Sequence, residues 1–222
     1  MFINGEPVSR YGGILLGTPK VSNAEYVPEY ELSRTRSTIR HLGHDVGLKS
    51  LQCNIAFLGD SIFEIQQKRS ALRAALIGEL QLSFSNDRFL YQAEYIGDAE
   101  LESEYKGSAV SRFNFKCVQT LPLETITTTN KKVYCQSTIP QTDCKLTATA
   151  TASASSFALG TVIFFDVSAN DVLVADGING HITKNGTAVQ ANFIRLPYLV
   201  PGENTITSTV DNVMVEYYPT FM

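Results

Sequence analysis

One stretch of the chain has the spacing of apolar positions that is typical of an amphipathic helix. Ser61 and Glu64 are spaced as in a capping box, in which a serine and a glutamate three residues later bond to free N–H groups at a helix start. The apolar residues of this stretch fall on one helical face: Ile65, Leu72, Ala75 and Leu76. Gly78 ends the pattern. We therefore predict a helix over residues 61–77 that packs against a sheet, with three cations on its other side: Lys68, Arg69 and Arg73.

Most of the remaining pattern is the two-residue alternation of β-strands that have one buried face. In the first half of the chain, apolar side chains take every second position in residues 51–57, 80–84 and 113–117. Residues 85–88 have the composition of a turn, so residues 80–95 are predicted to form a hairpin. The first half is therefore predicted to be a sheet structure that carries one helix.

The alternation lapses in the polar segment 125–130, where we place a boundary between domains of residues 1–125 and 126–222. Downstream, turn residues such as Asn185-Gly186 separate short strand-like runs, which cover residues 132–137, 145–152, 161–165, 171–175, 189–195 and 213–218. This punctuation predicts an all-β sandwich.

Two features of the second half are open to more than one interpretation. Hydroxyl residues alternate with alanine from Thr147 to Ala154, which predicts a strand with hydroxyls on one face, and a disordered linker is the alternative. Cys135 and Cys144 flank Pro140, but they would face each other only if proline took a turn position that it disfavours. We therefore predict no disulfide between them.

Composition and charge narrow the functional classes. The chain has 222 residues, 44% of them hydrophobic, which is enough for a globular core, and its net charge of -4 disfavours general nucleic-acid binding. There is neither a secretory leader nor a bilayer-spanning apolar run, so we expect a soluble chain with reduced cysteines. One local basic group is either a solvated edge, the commoner case, or a binding patch: Arg34, Arg36, Arg40 and Lys49.

Candidate catalytic and metal-binding residues are sparse. His41, His44 and Asp45 are too few for a complete ligand set, and nearby glycines favour a loop or hairpin tip, so no metal site is predicted. His181 is remote in sequence, and neither a nucleophile elbow nor a phosphate-binding loop occurs. Three aspartates of the second half are interpreted as turn residues, with Ca²⁺ binding as the lesser alternative: Asp166, Asp171 and Asp176. No cofactor is predicted.

An acidic run occupies the end of the first half: Glu94, Asp98, Glu100, Glu102 and Glu104. In an extended segment the last three glutamates share one face, which is typical of a solvent-facing edge or loop. Paired carboxylates also serve glycosidases, so an enzyme that depends on Glu102 is the alternative. Because no other feature supports catalysis, we expect that the chain is not an enzyme.

Three regions, taken in order, resemble the distal tail protein (Dit) family of phages with long non-contractile tails. Residues 2–8 (FINGEPV), followed by Tyr11-Gly12 and Ile14, are similar to the family's amino-terminal strand. Residues 57–59 (FLG), the predicted helix and residues 82–92 are similar to its ring domain. The ending is similar to the closing hairpin of its galectin-like domain, through residues 193–196 (FIRL), 199–204 (LVPGEN) and 213–219 (VMVEYYP).

The resemblance implies a mainly β fold, with an amino-terminal β-sandwich or barrel-like ring domain that carries one helix and a carboxy-terminal galectin-like β-sandwich. It implies a homo-hexameric ring that is assembled in the host cytoplasm and located in the virion. The ring is expected to have a central channel through which DNA passes, and no membrane is expected as a partner. The implied partners are the tail tube protein, a tail-associated lysin or tip protein, and receptor-binding proteins. A hairpin over residues 29–48 is the candidate clasp, in which Arg34, Arg36 and Arg40 would meet three acids of the next subunit: Glu100, Glu102 and Glu104.

A carbohydrate-binding module that adheres to the host surface is the alternative function. It rests on fold analogy to galectins alone. The chain contains no tryptophan, the favoured sugar-stacking residue, and its second half is too short for an inserted carbohydrate-binding module.

Overall fold

The computed structural model describes residues 1–24, 26–31, 40–105 and 107–222, with the backbone alone for residues 26–31, 40–46 and 102–105. By its internal contacts the chain divides into two compact units, Met1–Thr120 with Met222, and Leu121–Phe221. Strands make up most of both units, and the described residues contain one α-helix, so the predicted mainly β fold class is confirmed. The domain limits predicted from sequence, residues 1–125 and 126–222, stay a prediction.

The first unit contains nine strands and a helix within its described residues. They are β1 (Phe2–Ile3), β2 (Glu6–Pro7), β3 (Gly13–Val21), β4 (Tyr26–Glu31), β5 (Arg40–Val46), β6 (Lys49–Leu58), α1 (Ile62–Ala75), β7 (Leu80–Ser83), β8 (Leu90–Tyr105) and β9 (Ser108–Thr120). A 3₁₀ turn, Val8–Tyr11, follows β2. Seven of the strands form one sheet in the order β2-β1-β7-β8-β9-β6-β3, while β4 and β5 form a separate antiparallel hairpin.

Alternation builds the core of this unit as predicted. On β6 the odd-numbered positions from Leu51 to Phe57 are fully buried, and β9 pairs with β6 so that Phe113 and Phe115 enter the same core. The predicted hairpin is also confirmed, because β7 pairs with β8 from Leu80 opposite Ala93 onward.

Helix α1 begins where the capping residues predict. The Ser61 hydroxyl accepts a hydrogen bond from the Glu64 N–H at 3.2 Å. The Glu64 carboxylate accepts a hydrogen bond from the N–H of Asp60 at 2.9 Å. In a regular capping box the donor would be the N–H of the capping residue itself, Ser61. Because Ile65 and Leu72 are buried in the core with the sheet, the predicted amphipathic helix is confirmed.

The prediction for the other side of the helix is wrong at Arg69. This residue is buried, whereas Lys68 is half-buried and Arg73 exposed. Arg69 follows Ile65 by four positions and precedes Leu72 by three, which places it inside the apolar stripe. A buried guanidinium needs hydrogen-bond partners.

The second unit contains thirteen strands. They are β10 (Glu124–Thr128), β11 (Lys132–Cys135), β12 (Thr142–Thr149), β13 (Ala154–Leu159), β14 (Val162–Val167), β15 (Val172–Asp176), β16 (His181–Lys184), β17 (Thr187–Ala188), β18 (Asn192–Phe193), β19 (Tyr198–Leu199), β20 (Gly202–Thr205), β21 (Val213–Tyr217) and β22 (Thr220–Phe221). The polar segment 125–130, where the alternation lapses, contains most of β10.

Strands β10 to β21 form the two layers of a sandwich. One sheet has the order β10-β21-β12-β15-β16-β17, and β11-β20 and β13-β14-β18 form smaller sheets. Backbone bonds such as Thr209 N–H to the Ala158 carbonyl connect the segment after β20 to β13. One core buries side chains from all of these sheets, for example Val133, Phe164 and Val215, so the predicted sandwich is confirmed.

The predicted closing hairpin of this unit is wrong. Strand β20 pairs with β11, whereas β21 lies between β10 and β12 in the other sheet. The turn before β20 is nevertheless well defined, because the Asn204 side chain accepts from the Val200 N–H at 2.9 Å and donates to the Val200 carbonyl at 2.7 Å. The Pro-Gly-Glu-Asn motif therefore begins β20, which pairs within the small β11–β20 sheet. The chain then crosses to the large sheet, where it forms β21.

The threonine–alanine run is a strand over only part of its length. Strand β12 ends at Thr149, with Ala148 buried and Thr149 exposed, as alternation predicts. The rest of the run connects to β13, which starts at Ala154. Asn185 and Gly186, at φ of 54° and 77°, form the tight turn between β16 and β17 that the sequence predicts.

Candidate assembly surfaces

The charged residues predicted at a subunit interface fall in differently described parts of the first unit. Arg34 and Arg36 lie outside the described residues. Arg40 is the first residue of β5, and its backbone is opposite that of Glu31. The three glutamates of the predicted interface lie on β8: Glu100, Glu102 and Glu104. Their pairing with arginines of a neighbouring subunit stays a prediction.

The β4–β5 hairpin occupies most of the segment predicted to clasp a neighbour. Its antiparallel pairing runs from Tyr26 opposite Val46 to Glu31 opposite Arg40, with a register shift after Glu29. In the part of the chain that the structure describes, these two strands pair only with each other. The loop or hairpin tip predicted around His41 and His44 is wrong, because both residues belong to β5.

The regular alternation predicted for the acidic run is interrupted. Strand β8 has register shifts against β9 between Glu100 and Glu102, and again between Glu102 and Tyr105. Each shift adds residues to one strand and resets the two-residue alternation. The three glutamates therefore do not follow one unbroken extended period.

Helix α1 is tied to β8 by a group of polar side chains that we call the ion cluster: Arg69, Arg73, Tyr95, Asp98 and Glu100. Arg69 donates to Glu100 Oε2 at 3.1 Å and to Asp98 Oδ2 at 3.3 Å. Arg73 donates to both Asp98 oxygens, at 2.9 Å from Nε and 2.7 Å from Nη2. The Tyr95 hydroxyl also donates to Asp98. The cluster thus joins the buried face of the helix to the longest strand of the unit.

Asp98 is the buried centre of the ion cluster, with a side chain only 4% exposed. Burial acts to raise the pKa of its carboxyl, but hydrogen bonds from Arg73 and Tyr95 and the charges of Arg73 and Arg69 outweigh burial, so the pKa lies below its ordinary value. Burial, followed by contact with Asp98, raises the pKa of Tyr95 to about 12. At neutral pH the carboxyl is therefore ionised while the phenol remains a donor.

Asp98 belongs to the acidic run, but the solvent-facing side predicted there comprises only the last three glutamates, and the sequence makes no prediction for the nearly buried Asp98. Glu94 and Glu100 of the same run are exposed. Counting helical positions could have found Arg69, since its spacing from Ile65 and Leu72 places it on the buried face. Asp98 carries no comparable signal, because its environment depends on a helix about thirty residues earlier.

The first unit also exposes apolar side chains. Ile14 and Leu16 are 47% and 41% exposed and lie on β3, the last strand of the sheet order. Others occupy the end of β6, the first turn of α1 and strand β8: Leu58, Ile62, Phe63, Ile96 and Leu101. Scattered exposed apolar residues are normal. On an edge strand they lie beside unpaired backbone N–H and C=O groups, so a partner that pairs with this edge also gains an apolar contact.

Two aspartates of the second unit order local turns, and the cysteines are buried. Asp171 accepts from the Ser168 N–H and the Asn185 amide, both at 2.8 Å, and Asp176 accepts from the Ile178 N–H, so the interpretation of these two as turn residues is confirmed. The same interpretation is wrong for Asp166, which lies within β14. The four cysteines are free and buried, and burial raises the pKa of Cys144 to about 12. Among the described side chains, no group of three metal-ligating residues occurs. No helix within the described ranges is long and apolar enough to cross a membrane.

Comparison with known proteins identifies a shared fold. Neither a protein-family model nor a curated protein matches the chain. The crystal structure of the Dit protein (gp 19.1) of phage SPP1, described as a paradigm of the hub adsorption apparatus in phages infecting Gram-positive bacteria, aligns with a TM-score of 0.76 and 13% identity over 100% of this chain and 98% of that chain. Two phage P2 baseplate structures in the activated conformation, with Ca and with Sr, align at TM-scores of 0.46 and 0.43, with 9% identity over 95% of this chain and 91% of theirs. The alignment with the SPP1 protein confirms the resemblance to the Dit family at the level of the fold.

Proposed function

We propose that this chain is a structural, non-enzymatic subunit of a phage tail that closes into a homo-hexameric ring between the tail tube and the host-adsorption apparatus. The observation that carries the proposal is the fold shared with SPP1 Dit over 100% of this chain. That protein is described as a hub of an adsorption apparatus, and the present chain takes the same role.

Ring closure would use two surfaces of the first unit, the β4–β5 hairpin and the edge of β3. A ring is built from a heterologous interface, in which two different patches of each subunit meet. The β4–β5 hairpin is one patch, and the edge of β3 with Ile14 and Leu16 is available for the other. Covering an edge strand removes unpaired N–H and C=O groups that otherwise invite uncontrolled pairing.

The ring surrounds a channel through which DNA passes during injection. A chain with a net charge of -4 has no overall basic excess, so it does not retain a phosphate backbone by general electrostatic attraction. The tail tube protein stacks on the ring, and a tail-associated lysin or tip protein and receptor-binding proteins attach to it. After assembly in the host cytoplasm, the protein is located at the tail tip of the virion.

Mass photometry of the purified full chain tests the ring directly. We expect a species of six times the 24.4 kDa chain mass, or stacks of it. Monomers alone at micromolar concentration would contradict ring formation.

Charge reversal tests the hairpin as the clasp. Replacing Arg34, Arg36 and Arg40 with glutamate is expected to weaken the hexamer and leave the monomer folded by circular dichroism, because like charges at an interface repel. The matched control reverses Lys131, Lys132 and Lys184 of the second unit and is expected to keep the hexamer. An unchanged oligomer after the arginine replacement removes the hairpin from the interface.

A further inference from the structure

Three asparagines of the chain are each followed by glycine, and the fold holds them in different ways. They are Asn4, Asn179 and Asn185, and all three are exposed. The space around each following glycine is open, since a Cβ placed there meets no atom within 4 Å. A glycine nitrogen can attack the preceding asparagine side chain because glycine has no side chain to hinder the approach. Each Asn-Gly pair is therefore a site of spontaneous deamidation wherever the fold lets the two groups meet.

The reaction uses water and no other reactant. The glycine nitrogen loses its proton and bonds to the asparagine Cγ, the Cγ–Nδ2 bond breaks, and Nδ2 leaves as ammonia with that proton. Water then opens the succinimide ring at one of its two carbonyl carbons, which yields aspartate or isoaspartate. No atom is oxidised or reduced. Before the attack, the asparagine side chain must leave its hydrogen bonds and turn towards the glycine nitrogen.

The side chains of Asn4 and Asn185 are bonded to strands outside their own turns. The Gln81 N–H donates to Asn4 Oδ1 at 2.7 Å, and the Val172 N–H donates to Asn185 Oδ1 at 2.8 Å. Each amide nitrogen is bonded as well, from Asn4 to the carbonyl of the residue before β7 at 3.3 Å and from Asn185 to Asp171 Oδ1 at 2.8 Å. Both ends of each carboxamide are thus fixed to a neighbouring strand.

The turns around these two asparagines are also tight. Each Asn-Gly pair is the whole connection between two paired strands, β1 with β2 and β16 with β17. Asn4 and Asn185 have φ of 50° and 54°, as such two-residue turns require. Deamidation at either position therefore requires that a hairpin turn and its bonds to a further strand open together.

Asn179 lies in a wider connection and has fewer restraints. Strands β15 and β16 pair up to Asp176 opposite His181, which leaves residues 177–180 between them. The Asn179 side chain donates to Asp176 Oδ2 at 2.9 Å, and its backbone N–H donates to Oδ1 of the same carboxylate at 2.9 Å. In the part of the chain that the structure describes, no donor bonds to the Asn179 carboxamide oxygen. Because its bonds lie within its own turn, a local opening of that turn frees the side chain.

Deamidation at this position would change the surroundings of a buried carboxylate. Asp176 is only 7% exposed, and the Asn179 amide is one of its donors. The product replaces that donor with a second carboxylate, so two like charges meet where a hydrogen bond existed. Lys145, the cross-strand neighbour of Asp176, is already paired with Glu216 at 2.6 Å. The turn between β15 and β16 is therefore destabilised by the product.

We propose that Asn179 is a site of spontaneous deamidation that loosens the β15–β16 turn, and that the fold protects Asn4 and Asn185 from the same reaction. The observation that carries the proposal is the different restraint of three identical dipeptides in one chain. This modification goes beyond ring assembly and does not depend on it.

Peptide mapping of the full chain by mass spectrometry, after incubation at mildly alkaline pH, measures all three sites in one sample. We expect product at Asn179 to form at least about tenfold faster than at Asn4 or Asn185, because fewer hydrogen bonds must open. The same chain unfolded in urea is the matched control, in which the three sites are expected to react at similar rates. Equal rates in the folded chain, faster reaction at Asn4 or Asn185, or protection of Asn179 as strong as theirs each overturns the proposal.

Asp171→Ala tests the protection itself. It removes the acceptor of the Asn185 amide and is expected to speed deamidation at Asn185 while the rate at Asn179 stays the same. An unchanged rate at Asn185 would show that this bond does not protect it.

Amide hydrogen exchange at residues 177–181 tests the loosening of the turn. We expect faster exchange there in the incubated chain and in Asn179→Asp, whereas Asn4→Asp, which adds a carboxylate in the other unit, is expected to leave these amides unchanged. Unchanged exchange in both the incubated chain and Asn179→Asp refutes the effect on the turn. Mass photometry of the same samples reports ring assembly separately, so either proposal can fail without the other.

Discussion

Each unit of the chain buries a carboxylate, and the two carboxylates are stabilised in different ways. Asp98 of the first unit bonds to Arg73 and Arg69, which precede it by 25 and 29 residues on another element. Asp176 of the second unit accepts from the N–H groups of Ile178 and Asn179, both at 2.9 Å, within its own turn. The first carboxylate therefore joins two elements through charge, whereas the second shapes one local turn through neutral donors.

The difference shows how each unit specifies its architecture. In the first unit helix α1 must be held at one place on a sheet, and directional ion pairs add to apolar packing there. In the second unit two sheets are held together by a core of apolar side chains from both layers, and polar side chains order the connections. The first unit should consequently respond to changes of charge, and the second to changes of turn geometry.

Asp98→Ala should produce the largest effect. It leaves Arg69 buried without its nearly buried carboxylate, and breaking a buried pair in this way costs about 3–5 kcal/mol of unfolding free energy. The chain has no tryptophan, so amide hydrogen exchange in urea is the suitable measurement, since it reports the two units separately. We expect the loss in the first unit only. A change below about 1 kcal/mol would show that the ion cluster does not hold the helix.

Asp176→Ala should have a smaller effect, confined to the second unit. The buried N–H groups that it leaves unpaired cost about 1–3 kcal/mol. The same exchange measurement checks this, with Asp176→Asn as the control that retains an acceptor oxygen. If Asp176→Ala destabilises the chain as much as Asp98→Ala, the contrast between local and long-range bonding fails.

Acid should weaken the first unit through Asp98. Its pKa is lowered in the folded chain, so its contribution to stability is fully present above the ordinary aspartate pKa of about 3.9 and is lost as pH falls through the lower folded pKa. The effect should be smaller than that of Asp98→Ala, because a protonated carboxyl still fills its place. Exchange measured between pH 5 and pH 2 tests this, and Asp98→Asn should lose less stability over that range. An equal acid loss in Asp98→Asn assigns the effect to other groups.

Glu100→Gln should have the smallest effect of the four. Glu100 also pairs with Arg69, but its side chain is 44% exposed, and an ion pair in contact with water contributes about 0–1 kcal/mol. The amide oxygen of glutamine can still accept from Arg69. A loss of unfolding free energy comparable to that of Asp98→Ala would mean that burial does not determine how much each member of the ion cluster contributes to stability.

Local periodicity predicted much of the fold. The capping pair Ser61 and Glu64 located the start of the helix, and alternation on both sides of residues 85–88 located the β7–β8 hairpin. Asn185-Gly186 predicted a tight turn with the φ values that occur. These features succeed because a side chain's face and a turn's backbone conformation depend on neighbours within a few positions.

Partners distant along the chain were predicted less well. The closing hairpin was wrong because β20 and β21 join different sheets, and the alternation around each strand is the same whichever sheet it enters. The threonine run was recognised, but the row formed by Thr127, Met214 and Thr147 depends on the register of three strands. The acidic run was also visible in the sequence, but not that its Asp98 is nearly buried while Glu100 is exposed.

The sequence by itself determined the mainly β class, the place of the helix and the position of the hydroxyl-rich strand, because each follows from spacing between near neighbours. Only the tertiary structure decided that Arg69 and Asp98 meet inside the first unit and that Thr127, Met214 and Thr147 lie side by side on three strands of the second. These meetings depend on which segments pack together, and that choice is made by the free energy of the whole fold.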